Sequence, residues 1–287
     1  MAEDDKLAMS VDDNNFLKIM DNEVYVDDEN HWVALLPFRS PRQLLPNNRE
    51  QAFQRLLSLQ RSFKKRPDMK EHFFDFMQKV IDNHQAEPAP QLQLGQECWY
   101  LPTFGVYHHQ KPGKIRVVFD SSAEYKGALN DALLSGPNLN NTLIGVLLRF
   151  RREQIAVTAD VEQMFCGFKV REDHRHFLRF LWYKDNNPDK EIIDYWMTVH
   201  VFGNSLSPAV ATYGMRKAAE QGETEHGTDA KHFIFRNFYV DDGLASVAKE
   251  DDAIDLLWRT KALLAESNLR LHKIASNSTK VMEAFPV

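Results

Sequence analysis

The spacing of apolar residues divides the chain into a helical first third and a strand-rich remainder. From Glu50 to Arg66, Phe53, Leu56, Leu57 and Phe63 recur at helical intervals, and Pro67 ends the run. A second helix is predicted to follow, capped by Asp68 with Glu71 three residues on, its apolar stripe formed by Met69, Phe73, Phe76, Met77, Val80 and Ile81. The stretch QAEPAPQ, with Pro88 and Pro90, then reads as a linker. Beyond it, CWYLPTFGVY, IRVVF, IAVTAD, HFLRFLWY and YWMTVHV have the composition of short strands. Helical patterns return around residues 141–152, from Ser207 with Pro208 in the first turn, and from Asp251, where Ile254, Leu257, Trp258, Ala262 and Ala265 are expected to line one face. From residue 155 onward the predicted order is strand, strand pair, helix, strand pair, helix, strand. That order suits an α+β sheet covered on one face by helices.

Composition narrows this picture without naming a function. With 43% hydrophobic and 26% charged residues the chain is neither disordered nor fibrous, and no apolar run approaches the ~20 residues of a membrane span. The start, MAEDDKLAMSVDDNN, is acidic where a secretory leader is basic and then apolar, so an intracellular, non-secreted address is expected. Cys98 and Cys166 lack CxxC spacing and read as incidental thiols. A net charge of −6 runs against a nucleic-acid binder, but residues 1–30 carry ten acids against two lysines, which leaves +2 for residues 31–287. Arg39 to Lys79 holds ten Lys/Arg against four Asp/Glu, including Lys64, Lys65 and Arg66 in a row, a candidate phosphate-contacting patch or a solvated helix face.

Three acids carry candidate chemistry. In NFYVDDGLASVA, Asp241 and Asp242 fall between two β-prone runs, at the tip of a predicted hairpin. Adjacent like charges on a turn are unfavourable without a cation, although Asp–Gly also builds tight turns for backbone reasons alone. Asp160 ends the apolar run IAVTAD, so neighbouring strands would converge three carboxylates, as needed to hold two Mg²⁺ ions ~3.5–4 Å apart. The same letters, YVDD, occur at Tyr25–Asp28 within an acidic stretch without flanking apolar strands, and are expected to be solvated surface.

YVDD at 239–242 after an aromatic strand resembles the motif of reverse transcriptases, and the surrounding text resembles the BEL/Pao group of LTR retrotransposons. The blocks that carry this are YLPTFGVY (100–107), KIRVVFDSSAEYKGALNDALLSGPNL (114–139), LLRFRREQIAVTADVEQMF (147–165), DHRHFLRFLW (173–182), MTVHVFGNSLSPAVATYGMRKAAE (197–220), FYVDDGLASV (238–247) and LRLHKIASNS (269–278). HWVALLPFRSPRQLLPNNREQAFQRL (31–56) is similar to the stretch before the polymerase core.

The resemblance implies a right-hand polymerase of α+β class with fingers and a palm, the palm an antiparallel sheet of ferredoxin-like (split βαβ) type with helices on one face. Residues 1–30 are expected to be an acidic, flexible segment, 31–95 a helical extension, 96–154 mainly fingers, and 155–287 mainly palm, with fingers strands interleaved near 165–200. A thumb, RNase H, protease and integrase are not expected. By the same resemblance Asp160, Asp241 and Asp242, with the Val161 backbone carbonyl, bind two Mg²⁺ (or Mn²⁺) ions. Lys114, Arg116, Phe202 and Gly203 meet the incoming nucleotide, and Lys273 is a general acid toward pyrophosphate. Tyr239 and Val240 lie against nucleic acid. Phe165 touches the sugar, where a flat apolar ring cannot accept a hydrogen bond from a 2′-OH and so favours dNTPs. The implied reaction is RNA-directed DNA synthesis on a primed RNA or DNA template, with dNTPs and other parts of the retrotransposon polyprotein as partners and no membrane. The implied setting is a cytoplasmic particle, or the nucleus. The rivals are a catalytically silent retroelement-derived fragment that binds nucleic acid or protein, and an RNA-dependent RNA polymerase, which Phe165 disfavours.

Overall fold

The computed structural model describes residues 9–108 and 111–286, which form two compact units. One comprises Val33–Gly136 and Lys169–Ser207 with the N-terminal helix, and the other comprises Tyr25–Trp32, Pro137–Phe168 and the chain from Pro208 onward. Acidic residues 1–8 lie outside the described residues.

In the first unit the two predicted helices are Arg49–Lys65 and Pro67–Asp82. Their buried stripes include Leu56, Leu59, Phe63, Phe73 and Met77, and Phe73 stacks on Trp182 at 5.2 Å. Asp68 does not cap the second helix. Pro67 already occupies its first turn, where its fixed φ and missing N–H fit, so Asp68 falls inside the helix. The expectation of flexibility for residues 1–30 does not hold over 11–23: Val11–Glu23 is a helix with a reciprocal Ser10–Asp13 capping box, and Phe16 and Met20 are buried. Thr103–His108 pairs with Lys111–Phe119 as an antiparallel hairpin. A second sheet orders Ala86–Pro88, Ile192–Met197 and Arg179–Tyr183. Its one buried cation, Arg179, donates to Asp194 at 3.1 Å and to the Pro90 carbonyl. Asp194 also accepts from Tyr100 and Arg49, so the buried charge is paired and bonded.

The second unit is built on a four-stranded antiparallel sheet in the order Phe238–Tyr239, Asp242–Val247, Ile155–Val161, Leu271–Ser276. Helices Thr228–Asn237 and Glu250–Ala265 pack against it. Val157, Ala159, Val161, Gly243, Ala245 and Leu271 are buried, while Thr158, Asp160 and Asp242 alternate onto the more accessible face. Two expectations are corrected. The strand before the acids is only Phe238–Tyr239, because the Thr228 helix continues through Asn237. The Glu250 helix buries Ala253, Leu256, Leu257, Thr260, Leu263 and Leu264, whereas Trp258, Ala262 and Ala265 are exposed.

In the first unit His200 is wholly enclosed, and neither ring nitrogen has a hydrogen-bond partner among the described residues. The Ala34 backbone lies close enough to act on the ring without forming a bond of normal geometry. Burial pushes the pKa of His200 and that of His174 down to about 4. Both values lie below the ordinary 6.5, so the unfolded chain binds more protons. Stability is therefore full above about pH 6.5 and declines as pH falls toward 4. Urea midpoints between pH 7 and pH 5 are expected to reveal a loss on the order of 1–2 kcal/mol per histidine. His200→Leu should match or exceed the wild type at pH 7 and show a shallower decline, because it removes two unsatisfied polar atoms. An unchanged slope would refute this assignment.

Candidate active site on the antiparallel sheet

Asp160 sits one residue from the end of the central strand Ile155–Val161, directly opposite Asp242 on one side and His272 on the other. The Val161 N–H donates to the Asp241 carbonyl at 2.9 Å, so Asp160 and Asp242 form a non-hydrogen-bonded pair, the kind in which facing side chains come closest. Like charges in that position repel. Burial, then the charges of Asp241 and Asp160, hold the Asp242 carboxyl above its ordinary value.

Tyr239 faces Asp242, leaving Val240 and Asp241 as a two-residue turn. Val240 takes φ +58°, a conformation in which a β-branched residue is strained and for which glycine is the usual choice. Gly243 is not the turn glycine. It lies in the strand, where an added Cβ would meet the Phe238 ring at 2.7 Å and the Phe233 ring at 3.1 Å. Asp–Gly here therefore serves packing under the acids rather than a backbone turn.

The opposite neighbour supplies hydrogen-bond donors. His272 Nε2 lies 2.7 Å from Asp160 Oδ1, and since a carboxylate only accepts, that nitrogen carries the proton. Lys273 Nζ donates to Asp160 Oδ2 at 2.9 Å. Consecutive residues of a regular strand point to opposite faces, but a register irregularity between His272 and Ala275, with Lys273 at φ +47°, lets both reach one carboxylate. The hydrogen bond to Asp160, with further help from Asp241 and Asp242, raises the Lys273 ammonium pKa.

Sequence reasoning named Lys273 but missed His272, since regular alternation would put the two on opposite faces. The backbone brings Asp160, Asp241 and Asp242 together, yet their side chains do not offer one oxygen each within 4.8 Å of one another. Among the described residues, Asp27, Glu29 and His31, and Glu225, His226 and Glu266, do meet that spacing. Asp27 of the first YVDD turns its carboxylate onto the Glu29 and His31 N–H groups of its own loop. Three carboxylates nonetheless offer the all-oxygen donor chemistry that hard divalent ions take.

The remaining candidates are carried by other elements. Phe165 is half-buried on the short 3₁₀ turn Met164–Gly167 in the second unit. Lys114 and Arg116, both exposed on Lys111–Phe119, belong to the first unit with Phe202 and Gly203, and the Arg116 guanidinium lies 5.0 Å from the Phe202 ring centroid. Lys64, Lys65 and Arg66 are exposed where the first long helix ends.

If facing acids set the electrostatics, Asp242→Asn should raise Tm by ~1–3 °C in EDTA, since a facing like-charge pair costs ~0.2–1 kcal/mol. Mn²⁺ should stabilise the wild type more than the variant. A lower Tm for the variant in EDTA would contradict the repulsion.

No protein-family model and no curated protein matches the sequence. Among solved structures the chain is similar to the foamy viral protease-reverse transcriptase dRH in complex with double-stranded DNA, with a TM-score of 0.54 and 16% identity over 94% of this chain and 42% of that one. The chain thus spans less than half the length of the protein it matches, and at this identity the likeness is one of fold. No helix among the described residues is long and apolar enough to cross a membrane. The protein has a mixed α+β, reverse-transcriptase-like fold.

Proposed function

We propose that this chain is the fingers-and-palm core of a BEL/Pao-type retrotransposon reverse transcriptase, an RNA-directed DNA polymerase. The single observation that carries this reading is the placement of Asp160 opposite Asp242, with Asp241 on the adjoining turn, in a sheet whose other face is covered by helices. In this reading the four-stranded sheet is the palm, and its order is that of a ferredoxin-like split βαβ unit.

Asp160, Asp241 and Asp242 would hold two Mg²⁺ or Mn²⁺ ions, with the Val161 carbonyl as a further ligand. Bound there, the ions supply a lowered pKa for the primer 3′-OH and charge neutralisation on the triphosphate. The chain itself positions the reactants. Tyr239 and Val240 present the turn to the primer terminus, and Lys114 and Arg116 offer cations on one strand face to the triphosphate. Lys273, already protonated beside Asp160, has the proton that a leaving pyrophosphate requires. Lys64, Lys65 and Arg66 would meet the template through its phosphates, since a polymerase must accept any sequence.

A second reading, a catalytically silent nucleic-acid- or protein-binding fragment, draws on the pairing of Asp160 with Lys273 and the spread of the carboxylate oxygens. Extension of oligo(dT) on poly(rA) separates the two. Metal-dependent dTTP incorporation by the wild type is expected to fall by on the order of 10³-fold or more in Asp241→Asn, whose neutral amide cannot replace a charged ligand. Equal incorporation by both proteins, or none by the wild type, would sink the polymerase reading. Phe165→Ala should shift selection toward ribonucleotides by ~tenfold, the scale of one lost packing contact. Unchanged sugar selection would remove Phe165 from the nucleotide site.

A further inference from the structure

The turn Val201–Ser207 in the first unit carries Phe202 and Gly203, and its shape is fixed by sterics. Gly203 has φ +123°, and an added Cβ would stand 2.4 Å from the Phe119 carbonyl oxygen, so the turn lies against the end of strand Lys111–Phe119 with no room for a side chain. Ser207 Oγ donates to the Val201 carbonyl at 2.8 Å and closes the turn from below. These contacts set how near the turn lies to the strand, but neither grips the backbone at Gly203–Ser205 itself.

That grip comes from Asn130. Its Nδ2 donates to the Gly203 carbonyl at 3.1 Å and to Ser122 Oγ at 2.8 Å, while its Oδ1 accepts from the Ser205 N–H at 3.0 Å. Its own N–H donates to the Ser121 carbonyl at 3.0 Å, and Ser121 Oγ is bonded to Asn204. A carbonyl and an N–H two residues apart require a donor and an acceptor on one short planar group, which asparagine provides and aspartate, serine or leucine does not. What the turn presents is Phe202, half exposed, with the Arg116 guanidinium 5.0 Å from its ring centroid. Through that cation–π contact the setting of the turn also sets where Arg116 rests.

We propose that Asn130 is a positioning residue for nucleotide binding, an amide clamp that fixes the Phe202–Gly203 turn and, through the Phe202 ring, the Arg116 guanidinium. This rests on the polymerase reading above, in which Arg116, Phe202 and Gly203 receive the incoming dNTP. Asn130 touches neither the carboxylates nor the expected substrate, so its removal should be felt in nucleotide binding rather than in chemistry.

Single-nucleotide dTTP incorporation on poly(rA)·oligo(dT) by the full chain tests this. In Asn130→Asp the acceptor for Ser205 survives, but a carboxylate faces the Gly203 carbonyl. KM for dTTP should rise about tenfold with kcat within about twofold. Arg116→Ala should raise KM as well, and the double variant should lose less than the product of the two single losses, because both act on one cation. If Asn130→Asp melts far below the wild type, Asn130→Ser replaces it, with the same expected KM and faster amide exchange at Ser205. A wild-type KM in these variants, a loss confined to kcat, or full additivity with Arg116→Ala overturns the clamp while leaving the polymerase reading standing. No metal-dependent incorporation by the wild type, with Asp241→Asn equally inactive, overturns that reading, and the clamp's role in nucleotide binding falls with it.

Discussion

Two carboxylates facing each other across a non-hydrogen-bonded pair are the constraint around which the second unit is arranged. Asp160 and Asp242 are held there by backbone register, which in turn depends on the apolar alternation of Val157, Ala159 and Val161 beneath the helices. A slip of one residue in either strand would send that strand's acid into the helix-covered face, so the hydrophobic pattern that folds the sheet also forces the acids outward and together. The strained Val240 follows from the same geometry. With Tyr239 opposite Asp242, only two residues remain to turn the chain, and the first must enter the left-handed region. Gly243 then leaves room for Phe233 and Phe238 to fill the space under the turn, fastening it from the buried side.

Much of this was legible in the sequence because it rests on short-range pattern. The 155–161 strand, a hairpin at the acids and the helices starting at Ser207 and near Asp251 all announce themselves through period and turn chemistry, although Asp242 proves to open the strand rather than to sit in the turn. What escaped is what depends on tertiary placement. The Glu250 helix is rotated from the face expected, since Trp258 looks apolar in sequence but packs at the surface against Phe285, with Lys261 over its ring. Residues 1–30 read as a flexible acidic segment because ten acids stand there against two lysines, yet Phe16 and Met20 within it are fully buried. His272 was invisible because regular alternation puts neighbours on opposite faces, and only the irregularity at Lys273 breaks that rule.

Asn130 illustrates the same limit in the first unit. Nothing in GALND distinguishes a clamp from a turn residue, because its partners Gly203 and Ser205 are more than seventy positions away. Gly203 is different. It enters the sequence reading only through the resemblance, and the structure adds that its turn needs a glycine twice over, for its φ and for the Phe119 carbonyl pressed against it.

The electrostatics of the acidic site explain why the chain tolerates it at all. Three carboxylates at one strand end would be costly in a buried setting, but here water screens part of the repulsion, and two hydrogen-bond donors, a histidine and a lysine, come from a strand that must bend to deliver them. The two are unequal. Lys273 is two-thirds exposed, so its ion pair is worth little beyond screening, whereas His272 and Asp160 are each about one-fifth exposed and their hydrogen bond is the better sheltered. The histidine therefore does more to hold the orientation of Asp160, and the lysine is the partner that can leave at low cost. In the proposed reading such a division suits exchange of the lysine for a metal ion, because the carboxylate stays aimed while its charge partner changes.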